Sequence, residues 1–196
     1  MLVLIIDNKN EQNINYYKER IVLKMKELKK NNSKLIKILL LVYIIILTWI
    51  ILFKMQLNMQ HLPYIRSINL IPFGESVIIN GKIYFNEMIN NLIIFVPVGV
   101  YIGMLEKQEK FYKKIIPIFL LTLILEISQY ILHVGATDIT DVIMNTLGGI
   151  VGIAIINFLY KIFKNAEKVE KILNILAVIC TVGVICLMTI LIVVNL

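Results

Sequence analysis

Residues 115–163 read IIPIFLLTLILEISQYILHVGATDITDVIMNTLGGIVGIAIINFLYKIF, and this stretch decides the fold. Two apolar runs, Ile115–Val134 and Val142–Phe163, flank a short polar link. Each run is long enough to cross a hydrocarbon layer of ~30 Å at a rise of 1.5 Å per residue. Lipid offers no partner to open backbone groups, so both runs are expected to be helices, and the short link predicts an antiparallel hairpin. Three further runs have the same character: Leu35–Phe53, Met88–Leu105 and Ile172–Leu196. The expected fold is therefore all-α, a polytopic transmembrane bundle of five spans. Composition agrees, with 59% hydrophobic residues, 17% charged and a mean hydropathy of +0.82. A soluble domain of 196 residues needs a more polar surface than this.

Basic residues outside the spans predict the orientation. Residues 1–34 carry eight Lys or Arg, the link 54–87 three, 106–114 four, 135–141 none, 161–171 four, and the last residues none. Rich and poor segments alternate, which predicts a cytoplasmic amino terminus, an extracellular carboxyl terminus and a cell-membrane location. The net charge of +7 then belongs to cytoplasmic loops facing anionic lipid, and nucleic acid is not an expected partner. Three parts follow: a basic segment 1–34, a four-helix core 35–163, and a cytoplasmic loop with the fifth helix, 164–196. In the first part Ile14, Tyr17, Ile21, Met25 and Leu28 form an apolar stripe, which predicts a cytoplasmic amphipathic helix lying on the membrane. Met25 opens MKELKKNNSK, an alternative start of translation. In the long second link, SVII, Asn80-Gly81 and KIYF form either a two-residue hairpin or an interfacial lead into the second span. Cys180 and Cys186, six apart on one helix, face different directions and cannot bridge each other.

Polar residues within spans are costly and mark the interior of a bundle or a wet cavity. The third span carries Thr122, Glu126, Gln129 and His133 on one stripe. The fourth carries Asp141, Asn145, Gly148 and Gly152 at matching intervals. With Thr137 as the mirror point, His133 falls level with Asp141, Gln129 with Asn145, Glu126 with Gly148 and Thr122 with Gly152. This predicts a polar seam open to the outer leaflet, with Glu126 roughly 13 Å below the helix end. Asn91 of the second span joins the seam. Pro97, Gly99, Gly103, Gly148, Gly149 and Gly152 are expected at helix contacts, where small residues admit close approach. Pro97 should also bend its helix or free a carbonyl near Ile93. Asp138 has a plainer role available as the cap of the fourth helix, with Asp141 in its first turn. A carboxylate as deep as Glu126 needs hydrogen-bond partners or its proton.

Order and spacing of the polar motifs carry a resemblance. Asn69-Leu70-Ile71-Pro72-Phe73 precedes Asn91-Leu92-Ile93-Ile94-Phe95-Val96-Pro97-Val98-Gly99. Glu126-Ile127-Ser128-Gln129 follows, and then Gly135-Ala136-Thr137-Asp138-Ile139-Thr140-Asp141, leading to Asn145 and Gly148-Gly149. Over roughly residues 35–163 the chain resembles the VanZ-like family, the teicoplanin-resistance membrane proteins. Many relatives carry an Arg shortly before the acidic pair, where this chain has Gly135-Ala136. The resemblance implies a membrane protein of a Gram-positive-type cell envelope that alters susceptibility to glycopeptide antibiotics. Three functions are then compatible with the residues. A non-enzymatic seam of Asn91, Glu126, Gln129, His133, Asp138, Asp141 and Asn145 would bind a membrane lipid or a lipid-linked cell-wall precursor. An intramembrane enzyme would use Glu126 as general base, or hold a divalent cation on Glu126, His133, Asp138 and Asp141, although the spacing matches no established metal signature. A scaffold subunit would use the basic face and the fifth helix. No cofactor motif is present and no cofactor is expected.

Overall fold

The chain's helices end where its capping residues stand. This computed structural model describes residues 2–53, 65–73, 78–79, 82–83 and 85–194. Five helices, α1 (Leu2–Phe53), α2 (Asn86–Leu105), α3 (Phe111–Leu132), α4 (Ile139–Phe163) and α5 (Ala166–Val194), make up most of it. All five are long and apolar enough to cross a membrane, as the apolar runs predict. Four short strands join them: β1 (Ile65–Asn69), β2 (Ile78–Ile79), β3 (Lys82–Ile83) and β4 (Val134–Asp138).

α1 differs from its expected form. A single helix of 52 residues, about 78 Å long, replaces an amphipathic segment followed by a separate span. Asn31, Asn32, Ser33 and Lys34 contain neither Gly nor Pro, so nothing there forces a break. Ile21, Met25 and Leu28 are exposed along the extension, and the side chains of Ile14 and Tyr17 lie outside the described residues. The link before the last span is also shorter than expected. α4 stops at a left-handed Lys164, and Asn165 accepts the Lys168 N–H at 3.0 Å to start α5 at once.

α2 and α4 form the tightest pair in the fold, and glycine makes it possible. A Cβ on Gly99 would stand 1.9 Å from the Gly149 carbonyl oxygen, one on Gly148 would stand 2.0 Å from that of Leu92, and one on Gly152 would stand 2.1 Å from that of Val96. These glycines therefore bring α2 against α4, whereas the mirror argument turned Gly148 and Gly152 toward α3. Gly149 alone meets α3, through Ile118. Around this contact Leu47, Phe95, Val98, Ile118, Leu125 and Ile153 close a dry core. Pro97 sits inside α2 as expected, and the Tyr43 hydroxyl of α1 donates to the carbonyl of Ile94 at 2.7 Å, one residue beyond the carbonyl that the ring frees.

At one end of the bundle β1 pairs in parallel with β4, from Ile65 beside Val134 to Asn69 beside Asp138. β2 and β3 pair antiparallel, Ile78 with Ile83 and Ile79 with Lys82, which is the hairpin option for this link. Its Asn80-Gly81 turn lies outside the described residues. The opposite end gathers the α2–α3 link, the α4–α5 turn and the extension of α1.

Gly152→Leu should lower the thermal stability of the detergent-purified protein by about 3 kcal/mol, through overpacking against the α2 backbone. Gly183→Ala, with nothing within 4 Å of the added methyl group and a better helix former in place, should not lower it. Thermal unfolding of both variants against wild type checks the contrast.

Candidate functional site

The site begins where α3 stops. His133 takes a left-handed conformation, φ 58°, and its N–H bonds the Gln129 carbonyl. The chain then turns back along α3 as the extended strand β4. Five extended residues cover about 16 Å, the length of about eleven helical residues. α4 consequently starts deep beside Glu126, and its register against α3 moves. Asn145 Nδ2 donates to Thr122 Oγ1 at 2.9 Å, where the mirror argument placed it level with Gln129. Gln129 instead donates through Nε2 to the Ile51 carbonyl of α1 at 3.2 Å. The expected face-to-face pairs are corrected accordingly. The surface loop assumed between the spans is an inward strand.

Extended backbone among apolar helices needs partners for its polar groups, and β1 and Glu126 supply them on two sides. β1 covers one edge. On the other side Glu126 Oε2 accepts the Asp138 N–H at 3.0 Å, and the Thr137 hydroxyl donates to the Glu126 carbonyl at 3.0 Å. Glu126 is 2% exposed. Its carboxylate braces the strand from within the bundle and does not line an open seam.

Asp138 caps α4 through Oδ1, which accepts the Thr140 N–H at 2.7 Å. Its Oδ2 accepts from Asn69 Nδ2 at 3.1 Å, while Asn69 Oδ1 accepts the Ile71 N–H at 3.0 Å. Thr140 Oγ1 accepts the N–H of Phe73, itself left-handed at φ 58°. Residues 69–73 are in this way clamped onto the start of α4. Asn91 Nδ2 donates to Asp141 Oδ1 at 2.6 Å, and both residues are half-buried. Asn91, Asp141 and the Ser67–Asn69 part of β1 are the more accessible part of the assembly, whereas the described side chains of β4 are buried apart from that of a half-buried Thr137. Leu70, Ile71 and Phe73 stand exposed beside it.

The structure thus brings Asn69, Asn91, Glu126, Asp138, Thr140 and Asp141 into one connected end of the bundle. Asn145 and Thr122 lie deeper and Gln129 lies nearer the end of α3, on the α1 side; Gln129 Oε1 and Asn145 Oδ1 are buried without a hydrogen-bond partner. His133 stays at the turn, its Nδ1 against the Ile131 carbonyl at 3.0 Å. Among the described residues no three His, Cys, Asp or Glu side chains gather closely enough to hold a metal ion, so the expected cation option on Glu126, His133, Asp138 and Asp141 is not assembled. Asn69 and Thr140 are missing from the site read in the sequence. The motif around Asn69 was the available clue, and only the β1–β4 pairing reveals its target.

The comparisons fall on this same region. The family VanZ/LLP1 matches residues 40–164, most of the chain from the first span to the end of α4. The chain belongs to this family. Protein VanZ of Enterococcus faecium is 43% identical over 115 residues, 58% of this chain and 68% of that relative. No solved structure matches. The matched VanZ/LLP1 segment holds α2, α3, β1, β4 and α4 entire, and with them the whole polar assembly.

Glu126→Leu should destabilise the protein by about 1–3 kcal/mol, because the Asp138 N–H is left buried without an acceptor. Glu126→Gln keeps a carbonyl acceptor and should lose less. Thermal unfolding of the two variants in one detergent orders them.

Proposed function

We propose that this VanZ-family protein lowers the action of teicoplanin-type glycopeptides by binding an envelope lipid or a lipid-linked wall precursor at the β1–β4 end of the bundle. The observation that carries the reading is the composition of that end. A hydrogen-bonded group of amides and carboxylates, with Asn91 and Asp141 at its accessible part, adjoins exposed Leu70, Ile71 and Phe73. Amides and carboxylates suit the hydroxyl and amide groups of a sugar or peptide, and the apolar fringe suits the lipid to which such a head is attached. The family resemblance supports the link to glycopeptides. The distribution of Lys and Arg supports placing this end on the outer face. Glu126 acts here by holding β4 in place, a positioning role that needs no chemistry on a substrate.

Expression in a susceptible Gram-positive host tests the reading. Wild type should raise the teicoplanin concentration needed for inhibition. Asn91→Ala and Asp141→Ala should remove most of that protection at equal membrane abundance. Unchanged inhibition with wild type, or full protection from both variants, overturns it.

The orientation has its own test. With Cys180 and Cys186 replaced by Ala, a membrane-impermeant maleimide should label Ser67→Cys on intact cells and should not label Gln108→Cys. The reverse pattern puts the ribbon in the cytosol and removes an outward site.

A further inference from the structure

The two ends of the bundle treat their polar groups differently. At the end away from the ribbon, polar side chains bond one another. Glu170 of α5, 3% exposed, accepts from Asn32 Nδ2 at 2.6 Å and from the Tyr160 hydroxyl at 2.8 Å, and is ion-paired with Lys107. Asn174 donates to Asn32 Oδ1 at 2.7 Å. At the ribbon end a row of backbone groups is left open instead. Successive residues of a strand turn their N–H and C=O to alternate edges, and β4 takes only one edge of β1. Among the described residues nothing pairs with the other edge.

This open edge runs inward. β1 descends beside β4 from Ile65 to Asn69, to the level where the Asp138 N–H meets Glu126. Ile127, Ile131 and Leu132 of α3 stand exposed over the same depth, as lipid-facing residues do. Open backbone groups beside hydrocarbon need partners. The edge spans five residues, about 16 Å, and its groups recur at every second residue, about 6.6 Å apart. The amides of another extended chain match that repeat, whereas sugar hydroxyls and lipid head groups have no such period. Guards against strand addition are few here. Residues 65–69 hold no Pro, no bulge interrupts their register with β4, and Arg66 is their one charged residue. Ser67 and Ile68 are exposed.

We propose that the open edge of β1 takes an extended peptide by strand addition, and that this peptide is the one carried by a lipid-linked wall precursor. The inference rests on the binding function proposed above and names the part of the precursor that is held. Main-chain hydrogen bonds to β1 supply the grip. The lipid that carries the peptide lies against exposed Leu70, Ile71 and Phe73, which follow β1 directly.

The test offers full-length protein in nanodiscs a lipid-linked disaccharide bearing its peptide, and the same molecule without the peptide. Native mass spectrometry reads retention, and residue-resolved hydrogen–deuterium exchange reads the β1 amides. Before addition, exchange should alternate along β1, slow where the N–H faces β4 and fast where it faces the open edge. The peptide-bearing molecule should slow the fast positions about tenfold. The peptide-free molecule should leave them unchanged and be retained more weakly. Of the neighbours Ser67 and Ile68, one N–H faces each edge. Ser67→Pro or Ile68→Pro, whichever removes the fast-exchanging N–H, should leave thermal unfolding near that of wild type. The same variant should cut retention of the peptide-bearing molecule about fivefold, the effect of one backbone hydrogen bond. Uniformly slow exchange before addition means that the chain covers its own edge, and overturns the proposal. Equal retention of the two molecules with unchanged exchange also overturns it, while the binding function proposed above stands. Retention of neither molecule overturns both.

Discussion

A strand inside a helical membrane protein survives only if every N–H and C=O it exposes finds a partner, because surrounding hydrocarbon supplies none. The hydrogen bond from the Asp138 N–H to the Glu126 carboxylate meets that condition at the deepest point of β4. The rest of the ribbon end depends on it. With β4 held there, Asp138 is in position to cap α4, β1 has an edge to pair with, and Asn69 reaches Asp138 from the adjoining strand. Remove the carboxylate and the inward course of β4 loses its inner support. The buried acid is thus accounted for as an acceptor for the strand backbone.

The glycine contact between α2 and α4 is the second constraint, and it acts on the first. Close approach at Gly99, Gly148 and Gly152 sets α4 against α2, which leaves α4 free to slide relative to α3 until its register is fixed at the β4 end. It also places Asn91 of α2 opposite Asp141 in the first turn of α4. Packing deep in the bundle thus positions a polar pair near its surface. Helix association in lipid lacks a hydrophobic drive and rests on such contacts and on interhelical hydrogen bonds. Tyr43 to Ile94 and Asn145 to Thr122 are of the second kind.

The five helices were legible in the sequence because length and apolarity decide a span, and both are local properties. Membership of the polar end was mostly legible for the same reason: a charged or amide side chain in an apolar run is conspicuous. Register was not. The mirror argument at Thr137 assumed that a short link lies at the surface, and the Gly135–Asp138 stretch carries no local mark that it folds inward. The left-handed turn at His133 and the pairing with residues 65–69 decide that, and the partner strand is some seventy residues away in the chain. Glu170, Asn174 and Lys107 went unread for a related reason. At a helix end, charged residues look like ordinary solvated ones, and only the tertiary fold buries them.

The two polar ends have different consequences for function because a dry layer separates them. Along α4, Asn145 belongs to the ribbon side and Tyr160 to the other, and between them Ile153 and Ile156 are fully buried. Phe95 and Val98 of α2 and Ile118 of α3 close the same level. Among the described residues no chain of polar side chains connects Glu126 with Glu170. A carrier that moves a charged or sugar-bearing solute needs such a path in at least one state, and an inverted repeat is the usual means of opening it alternately from each side. At the centre of this fold stands a glycine-locked helix pair. Packed apolar side chains thus separate the two polar ends along the length of the bundle.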